Sequence, residues 1–282
     1  MNTFNLQKFI DKIPEIKFST DVQNTWDQMD KAVLANAQLL HQDRINCSES
    51  GSAFNDWWLS CCELFSARQI IINKLNFDSS ESEDGEYIEL FNTGPMIVDL
   101  TDWKINAGNE GQDMIFPKGT LIHPKSKLRI YTNKDQSYSF NSKQSVWNNK
   151  GDKAFLFDKS QQLICTWAYG EKAHKDVFIN HIYFDGQEKY TESDEYVEIE
   201  NLSSNYIDIS NWLLSAGKNQ EFIFPQNATL KPNAKIKVYT NHLDINSGGY
   251  SFNSKKAVWN NKSDIGILFD YKRKQVCEYK YG

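Results

Sequence analysis

Short runs in which apolar and polar residues alternate fill the chain from about residue 69 to its end. Lys127–Tyr131 and Lys235–Tyr239 place aliphatic side chains on one face and Lys or Arg on the other, which is the period of a half-buried strand. Ala154–Phe157 and Gly266–Phe269 are mostly apolar, and turns rich in Asn, Gly and Pro separate the runs. Roughly eight or nine short strands per hundred residues predict a β-sandwich.

This strand pattern occurs twice. Tyr138–Asp158 and Tyr250–Asp270 are identical at 15 of 21 aligned positions, and the likeness continues upstream of both segments. A repeat of this length is a duplicated domain, because solenoid repeats have only about 20–45 residues. The sequence therefore predicts two tandem β-domains, each able to fold by itself, which we call copy one (69–170) and copy two (178–282).

Residues 1–68 follow a helical pattern instead. Thr20–Gln23 fits an N-terminal capping box, and the apolar positions after it recur at about 3.6 residues. A second apolar stripe follows: Phe54, Trp57, Trp58, Cys61, Cys62 and Phe65. The pattern predicts a helical hairpin, which either caps the first β-domain or serves as a docking or dimerisation element.

Aromatic residues make up 13% of the chain and include eight Trp. Four of the Trp fall in aligned pairs, Trp103 with Trp212 and Trp147 with Trp259. Large flat side chains at equivalent positions of two β-domains predict core plugs between the sheets.

Both copies also carry the same motifs in the same order. A strand containing Glu-Tyr-aliphatic-Glu, within Gly85–Asn92 and Asp194–Asn201, precedes an Asp-aliphatic-x-x-Trp step that ends at Trp103 and Trp212. Phe-Pro and then Trp-Asn-Asn-x-x-Asp follow, before an apolar strand. This order resembles the lamin tail domain, an immunoglobulin-like β-sandwich.

The resemblance implies a fold class and a class of function. The fold class is mainly β, with two tandem immunoglobulin-like β-sandwiches preceded by an α-helical N-terminal segment. The implied function is tethering or scaffolding of a protein or a nucleic acid, without catalysis. Copy one departs from the pattern at Gly85 and Phe91, where copy two has Asp194 and Glu200, so the chemistry at its rim is expected to differ.

Candidate partner-binding residues come from the Tyr-Ser-Phe-Asn-Ser-Lys loop and from the apolar helical stripe. The loop keeps its aromatic and basic residues in both copies although loops are free to change after duplication; a recent duplication explains this equally well. The candidates are Phe54, Trp57, Trp58, Phe65, Tyr138, Phe140, Lys143, Tyr250, Phe252, Lys255 and Lys256. The expected partner is a protein, either a second copy of this chain or a larger complex.

No motif for catalysis or for a cofactor is present in the sequence. The five His form no HxH or HExxH, and no GxSxG, P-loop or GxGxxG occurs. The spacing of Glu86 and Glu89, like that of Glu195 and Glu198, places the two carboxyl groups on opposite strand faces, which disfavours shared acid–base chemistry. We expect a protein that is not an enzyme, with no cofactor and no small-molecule substrate. A hydrolase without a recognisable motif is the alternative.

Cysteines and acidic runs indicate no metal site. The five Cys are odd in number and lack CxxC spacing, which favours free thiols in a reducing, cytoplasmic compartment. The acidic runs Asp78–Glu86 and Asp185–Glu195 lack the spacing of an EF-hand and are typical of solvated loops. Calcium at these loops is the less favoured alternative.

Charge supplies a second candidate function. The chain has 31 basic and 37 acidic residues, and no apolar run approaches the roughly 18 residues of a membrane span. The net charge is only −2 in copy one and −1 from residue 171 onward, and lysines beside aromatic residues suit a modest nucleic-acid face. The alternative is thus a nucleic-acid-binding accessory subunit of a nuclease or other DNA-processing complex, such as a defence complex. The Asn- and Lys-rich composition with six Pro fits a bacterial source.

Overall fold

The computed structural model describes residues 65–78, 85–133, 138–242 and 249–282. Within them the chain is mainly β, and Ser66–Gly282 form one compact unit. The predicted helical segment lies almost wholly in residues 1–64, outside the described residues, so its helices stay a prediction.

Copy one folds into strands where apolar and polar residues alternate, and turns separate them where Asn, Gly and Pro cluster. Its described strands are β1 (Ile70–Asn76), β2 (Tyr87–Asn92), β3 (Val98–Asp99), β4 (Lys104–Asn106), β5 (Asp113–Ile115), β6 (Leu121–Ile122), β7 (Lys127–Tyr131), β8 (Lys153–Phe157) and β9 (Leu163–Ala168).

Copy two repeats this series and adds one short strand, β17. Its described strands are β10 (Val177–Tyr183), β11 (Tyr196–Asn201), β12 (Tyr206–Asp208), β13 (Leu213–Ser215), β14 (Glu221–Ile223), β15 (Thr229–Leu230), β16 (Lys235–Tyr239), β17 (Tyr250–Ser251), β18 (Asp264–Phe269) and β19 (Gln275–Tyr281). Two single-turn 3-10 helices, Gly170–Lys172 and His174–Asp176, link the copies.

Each copy has one sheet built around its Glu-Tyr-aliphatic-Glu strand. The order is β1-β2-β7 in copy one and β10-β11-β16-β17 in copy two, and only the β16–β17 pair is parallel. The first strand of both sheets bulges at the equivalent residue, Asn73 in copy one and Asn180 in copy two. The duplication therefore extends to local irregularities of the backbone.

Each sandwich encloses its own apolar core. Trp103 and Trp147 lie in the first core and Trp212 and Trp259 in the second, and none is more than 4% exposed. The predicted core plugs are confirmed. Because one aromatic side chain buries roughly 150–250 Å², these four residues are among the largest contributors to the two cores.

One sheet runs across both copies, in the order β15-β12-β9-β8-β4-β5. The last strand of copy one, β9, therefore lies between its own β8 and β12 of copy two. In copy two the equivalent last strand, β19, is the edge of the sheet β14-β13-β18-β19. In copy one the equivalent of the β12–β15 pair is the separate pair β3–β6. The sequence predicts two self-contained domains, whereas the structure joins them by strand pairing.

Candidate interaction surfaces

The first glutamate of the Glu-Tyr-aliphatic-Glu motif points into the sandwich. Glu86 Oε2 accepts a hydrogen bond from Thr132 Oγ1 at 2.9 Å and one from the amide of Val146 at 3.1 Å. Thr132 precedes the Tyr-Ser-Phe-Asn-Ser-Lys loop and Val146 follows it. The buried carboxylate therefore fastens both ends of this loop to the core.

Copy two repeats the arrangement. Glu195 is fully buried, and its Oε2 accepts hydrogen bonds from Thr240 Oγ1 at 2.7 Å and from the Val258 amide at 3.0 Å. Burial raises the pKa of Glu195 to about 7, although these hydrogen bonds act in the opposite direction. The raised pKa follows from the position of Glu195 between loop and core, and the nearby negative charge of Glu192 raises it further.

The second glutamate of the motif lies on the outer face of the sheet. Glu89 contacts Lys127 Nζ at 2.8 Å and Arg129 Nε at 2.9 Å, and it accepts a hydrogen bond from Nδ2 of the bulged Asn73 at 2.8 Å. Burial raises the pKa of Glu89, but the three hydrogen bonds outweigh it, so the pKa lies below its usual value. The prediction that the paired glutamates lie on opposite faces is confirmed.

On the equivalent face of copy two, Glu198 accepts hydrogen bonds from Asn180 Nδ2 at 2.7 Å and from Lys235 Nζ at 2.9 Å. Burial opposes ionisation here as well, and these partners still hold the pKa of Glu198 below its ordinary value. Each outer glutamate is therefore an ionised partner of basic side chains on the same sheet.

The Tyr-Ser-Phe-Asn-Ser-Lys loop of copy one turns its aromatic side chains inward. The Tyr138 ring packs edge-on against Phe116 with centroids 5.8 Å apart, and Phe140 meets Trp147 at 5.9 Å. Asn141 has a φ of 52°, a left-handed conformation that Asn adopts more readily than most residues. The motif is thus explained by packing and by a turn.

The loop of copy two does the same. Tyr250 packs against Phe224 at 5.2 Å and Phe252 against Trp259 at 6.3 Å, while Asn253 has a φ of 54°. The basic candidates of the two loops, Lys143, Lys255 and Lys256, are exposed. Of the predicted contact residues in the loops, the lysines face solvent and the aromatic residues contact the cores.

The predicted residues of the helical stripe have a different status. Phe54, Trp57 and Trp58 lie outside the described residues. Phe65 is half-buried at the start of the described chain. Their part in binding stays a prediction.

The backbones of the two copies meet where β9 pairs with β12 in parallel. Trp167 lies opposite Tyr206 and Ala168 opposite Ile207. The Trp167 and Tyr206 rings stack with centroids 6.5 Å apart and an interplanar angle of 10°. Ala168 is fully buried within the core of copy two, and Tyr206 packs against the core of copy one. Each domain thus inserts a residue into the other.

Polar contacts surround this pairing. Thr166 Oγ1 donates to Asn205 Oδ1 at 2.5 Å, and Asn205 Nδ2 donates to Asp176 Oδ2 at 3.1 Å. Asp176 also lies 3.7 Å from Lys153 Nζ of copy one. Because Thr166 and Asn205 are buried, loss of either partner would leave a desolvated polar group.

The turn between β18 and β19 adds a second set of contacts. Asp270 Oδ2 lies 2.9 Å from His174 Nε2 of the link, and Lys274 Nζ lies 3.0 Å from Glu171. Tyr271 donates its hydroxyl proton to the carbonyl of Asn149 in copy one at 2.7 Å. We call these contacts, together with the β9–β12 pairing, the domain junction.

Two strands equivalent to those of the domain junction are edges in the described part of the chain. On β19, Glu278 and Lys280 are exposed and their charged atoms lie 2.8 Å apart. Beside β3, Met96 is 55% exposed and Ile97 is 52% exposed. One edge is therefore charged and the other is apolar.

A comparison with protein families identifies both copies. The model of the lamin tail domain matches residues 65–171 and again residues 170–282. This chain belongs to the lamin tail domain family. The immunoglobulin-like fold and the tandem arrangement expected from the sequence are confirmed.

Comparisons with individual proteins add little to the lamin tail domain assignment. No curated protein matches the chain. Among solved structures, a crystal structure of the YadV chaperone is 11% identical, and the match covers 75% of this chain and 98% of that one with a TM-score of 0.23. A TM-score this low does not indicate a shared overall structure.

Metal ligands and thiols are two kinds of reactive group in the described residues of the two lamin tail domains. No cluster of His, Cys, Asp and Glu that would suit a metal ion occurs in the residues that the structure describes. Cys165 and Cys277 are free thiols, and burial raises their pKa to about 12 and about 11. Such thiols stay protonated and unreactive at neutral pH. In the same described ranges, no helix is long and apolar enough to span a membrane.

Sequence reasoning missed the domain junction of the lamin tail domains. The signal was present in the aligned last strands, since copy one has Thr166 and Ala168 where copy two has Glu278 and Lys280. Replacement of two charged residues by small ones on an otherwise equivalent edge indicates a covered edge.

Proposed function

We propose that this chain is a non-enzymatic interaction scaffold that binds a macromolecular partner through its two lamin tail domains and its N-terminal segment. Lamin tail domains are immunoglobulin-like modules that often mediate protein interactions. In this proposal residues 1–68 form the helical docking element, and the protein acts in the cytoplasm of a bacterium.

The domain junction carries the proposal. One lamin tail domain already binds another here by parallel strand addition, ring stacking and a buried hydrogen bond between Thr166 and Asn205. Ser66–Gly282 consequently form one compact unit. A single two-domain body holds the exposed lysine loops of both copies in a fixed relation, which suits simultaneous contact with one large partner.

Pull-down of the full chain from its source cells tests the proposal. Three proteins are compared: the wild type, a Trp57→Ala/Trp58→Ala variant, and a variant with Lys143, Lys255 and Lys256 changed to Glu. We expect a specific protein partner with the wild type and its loss in at least one variant. A matched change of three other exposed lysines, Lys118, Lys218 and Lys231, to Glu serves as the control. Equal recovery by all four proteins, or no partner with the wild type, contradicts the scaffold.

The exposed lysines of the loops favour one second candidate, a nucleic-acid-binding accessory subunit. The inward orientation of Tyr138 and Phe140 removes the expected stacking platform, so only an electrostatic contribution is left. DNA and RNA binding measured between about 50 and 200 mM salt tests it. Binding that weakens steeply with salt and is lost in the three-lysine variant supports this candidate, and absence of binding at low salt rejects it.

A further inference from the structure

The edge formed by Met96, Ile97, Val98 and Asp99, which we call the acceptor edge, exposes two large apolar side chains beside the charged Asp99. Met96 and Ile97 are 55% and 52% exposed. Val98 and Asp99 pair with β6 on one side only, and the backbone of Ile97 forms no hydrogen bond within the described part of the chain. Exposed apolar side chains beside unpaired backbone groups form a template for strand addition.

Copy two shows what occupies such an edge. Its equivalent residues are Asn205, Tyr206, Ile207 and Asp208, and they receive β9 in parallel. The pairing lengthens the strand by one residue, since β12 begins at Tyr206 whereas β3 begins at Val98. The side chain of the occupant opposite Tyr206 is the flat ring of Trp167, and the one opposite Ile207 is the small Ala168.

The surroundings of the acceptor edge match those in copy two. Asn92 Nδ2 donates to the carbonyl of Met96 at 2.7 Å, as Asn201 Nδ2 donates to Asn205 at 2.7 Å. Val98 is buried like Ile207 and packs in the core of copy one. The acceptor edge therefore shares the asparagine contact and the buried aliphatic residue of the occupied site, and Met96 and Ile97 make its rim more apolar.

We propose that the acceptor edge binds an extended apolar segment of a partner protein by parallel strand addition, with a flat or aliphatic residue of that segment against Ile97 and a small residue against Val98. This proposal rests on the proposed scaffold function and names the binding site and the chemistry of the partner. The β9–β12 pairing shows the strand direction and register that such a segment would adopt.

A second copy of this chain is a poor occupant. Its strand equivalent to β9 is β19, which would place Lys280 where Ala168 lies, against the buried Val98. Burial of Lys280 together with its ion-pair partner Glu278 would desolvate both charges, and their mutual attraction often does not offset that cost. Glu278 would also lie against Met96 in place of the Thr166–Asn205 hydrogen bond. The charges of β19 thus select against head-to-tail assembly.

A peptide with the sequence of residues 163–170, with Ser in place of Cys165, is the probe for this site. We would titrate it to about 1 mM into the isotopically labelled full chain and follow backbone amide signals by NMR. We expect saturable shifts at residues 96–99 and 121–122. A peptide with the sequence of residues 275–282, and the first peptide with its alanine replaced by Lys, should bind at least tenfold more weakly.

Two variants of the full chain serve as a matched pair. Ile97→Lys places a charge on the acceptor edge and should weaken the peptide at least tenfold. Ile223→Lys alters an aliphatic residue of similar exposure, 50%, on β14, and should leave binding unchanged. Absence of saturable shifts, shifts centred on residues 206–208, or equal binding by both variants would overturn the proposal.

Sedimentation of the wild-type chain tests the other occupant. We expect that the wild-type chain does not self-associate through the acceptor edge. If it self-associates and Ile97→Lys abolishes this, the occupant is a second copy and the proposal is wrong. Failure here is separable from failure of the scaffold function, because the pull-down tests the loops and the N-terminal segment. A partner that is captured equally by the wild type and by Ile97→Lys supports the scaffold without the acceptor edge.

Discussion

The last strand of each lamin tail domain has the same place in the fold but a different neighbour. In copy one, Thr166 and Ala168 of β9 are buried against copy two. In copy two, the aligned Glu278 and Lys280 of β19 are exposed and paired with each other. Both strands pair with the strand before them in the same register and with an equivalent bulge. The side chains at two positions distinguish the covered edge from the solvated one.

After duplication, the two copies have come to use the same strand differently. In copy one the last strand pairs with the next domain, whereas in copy two the last strand stays an unpaired edge of the described sheet. A lysine on an edge strand commonly prevents pairing with another strand. In β19 this residue is Lys280, at the position where the domain junction has the small Ala168.

The largest effect is expected from Ala168→Lys, which gives β9 the residue of β19. Ala168 has no exposed surface and lies in the core of copy two. A buried unpaired charge should lower the free energy of unfolding by roughly 3–5 kcal/mol. Urea unfolding measures this. The reciprocal Lys280→Ala should leave the midpoint unchanged, and equal effects of both changes would disprove the role assigned to the domain junction.

A smaller effect, on the pH dependence of stability, is expected from Glu195 of copy two. The pKa of Glu195 is raised from 4.5 to about 7 by burial, so the folded state binds this proton more tightly than the unfolded state. Stability from this group is complete below about pH 4.5 and is lost as the pH rises through about 7, by an amount on the order of 1–3 kcal/mol.

Glu195→Gln should flatten that part of the profile, measured by urea unfolding between about pH 4 and pH 8. Glu200→Gln on the same strand is the control and should keep the slope. A variant Glu195→Gln with the wild-type slope would show that another group causes the dependence.

Removal of one hydrogen bond at the domain junction should cost less. Thr166→Val leaves Asn205 Oδ1 without the 2.5 Å hydrogen bond, and the expected loss is about 1–2 kcal/mol. A double-mutant cycle with Asn205→Ala checks the assignment, since paired residues should show a coupling energy. Strict additivity of the two changes would mean that the hydrogen bond does not stabilise the domain junction.

The smallest effect is expected from Tyr271→Phe. It removes the 2.7 Å hydrogen bond to the carbonyl of Asn149 while it keeps the ring contact with Phe77. The carbonyl is accessible to water, so the loss should be about 0.5–1 kcal/mol. Thermal unfolding measures it, and a loss larger than that of Thr166→Val would reverse the proposed ranking of the contacts.

The sequence predicts much of the fold because the relevant signals are local and occur twice. The alternating runs locate the strands, the aligned Trp103 and Trp212 locate the cores, and the spacing of Glu86 and Glu89 assigns each to one face. The motif order also leads to the correct family. These features depend on period and spacing, which a single sequence displays directly.

The sequence is less informative about which residues meet a partner. Tyr138 and Phe140 suggest a contact loop, yet tertiary packing turns both toward the core. The β9–β12 pairing joins residues about 40 positions apart in sequence, and no local period specifies such a contact. The acceptor edge becomes visible only when the occupied edge of copy two is known.

The domain junction can form only after both of its strands have been synthesised. Ala168 leaves the ribosome 40 residues before Asp208, the last residue of its partner strand β12. At a translation rate of about 5–20 residues per second, the end of β9 stays uncovered for roughly 2–8 s until β12 has been synthesised. During this interval the nascent chain has two uncovered strand edges, β9 and the acceptor edge. Chaperones that recognise exposed strands can bind the nascent chain in the same interval.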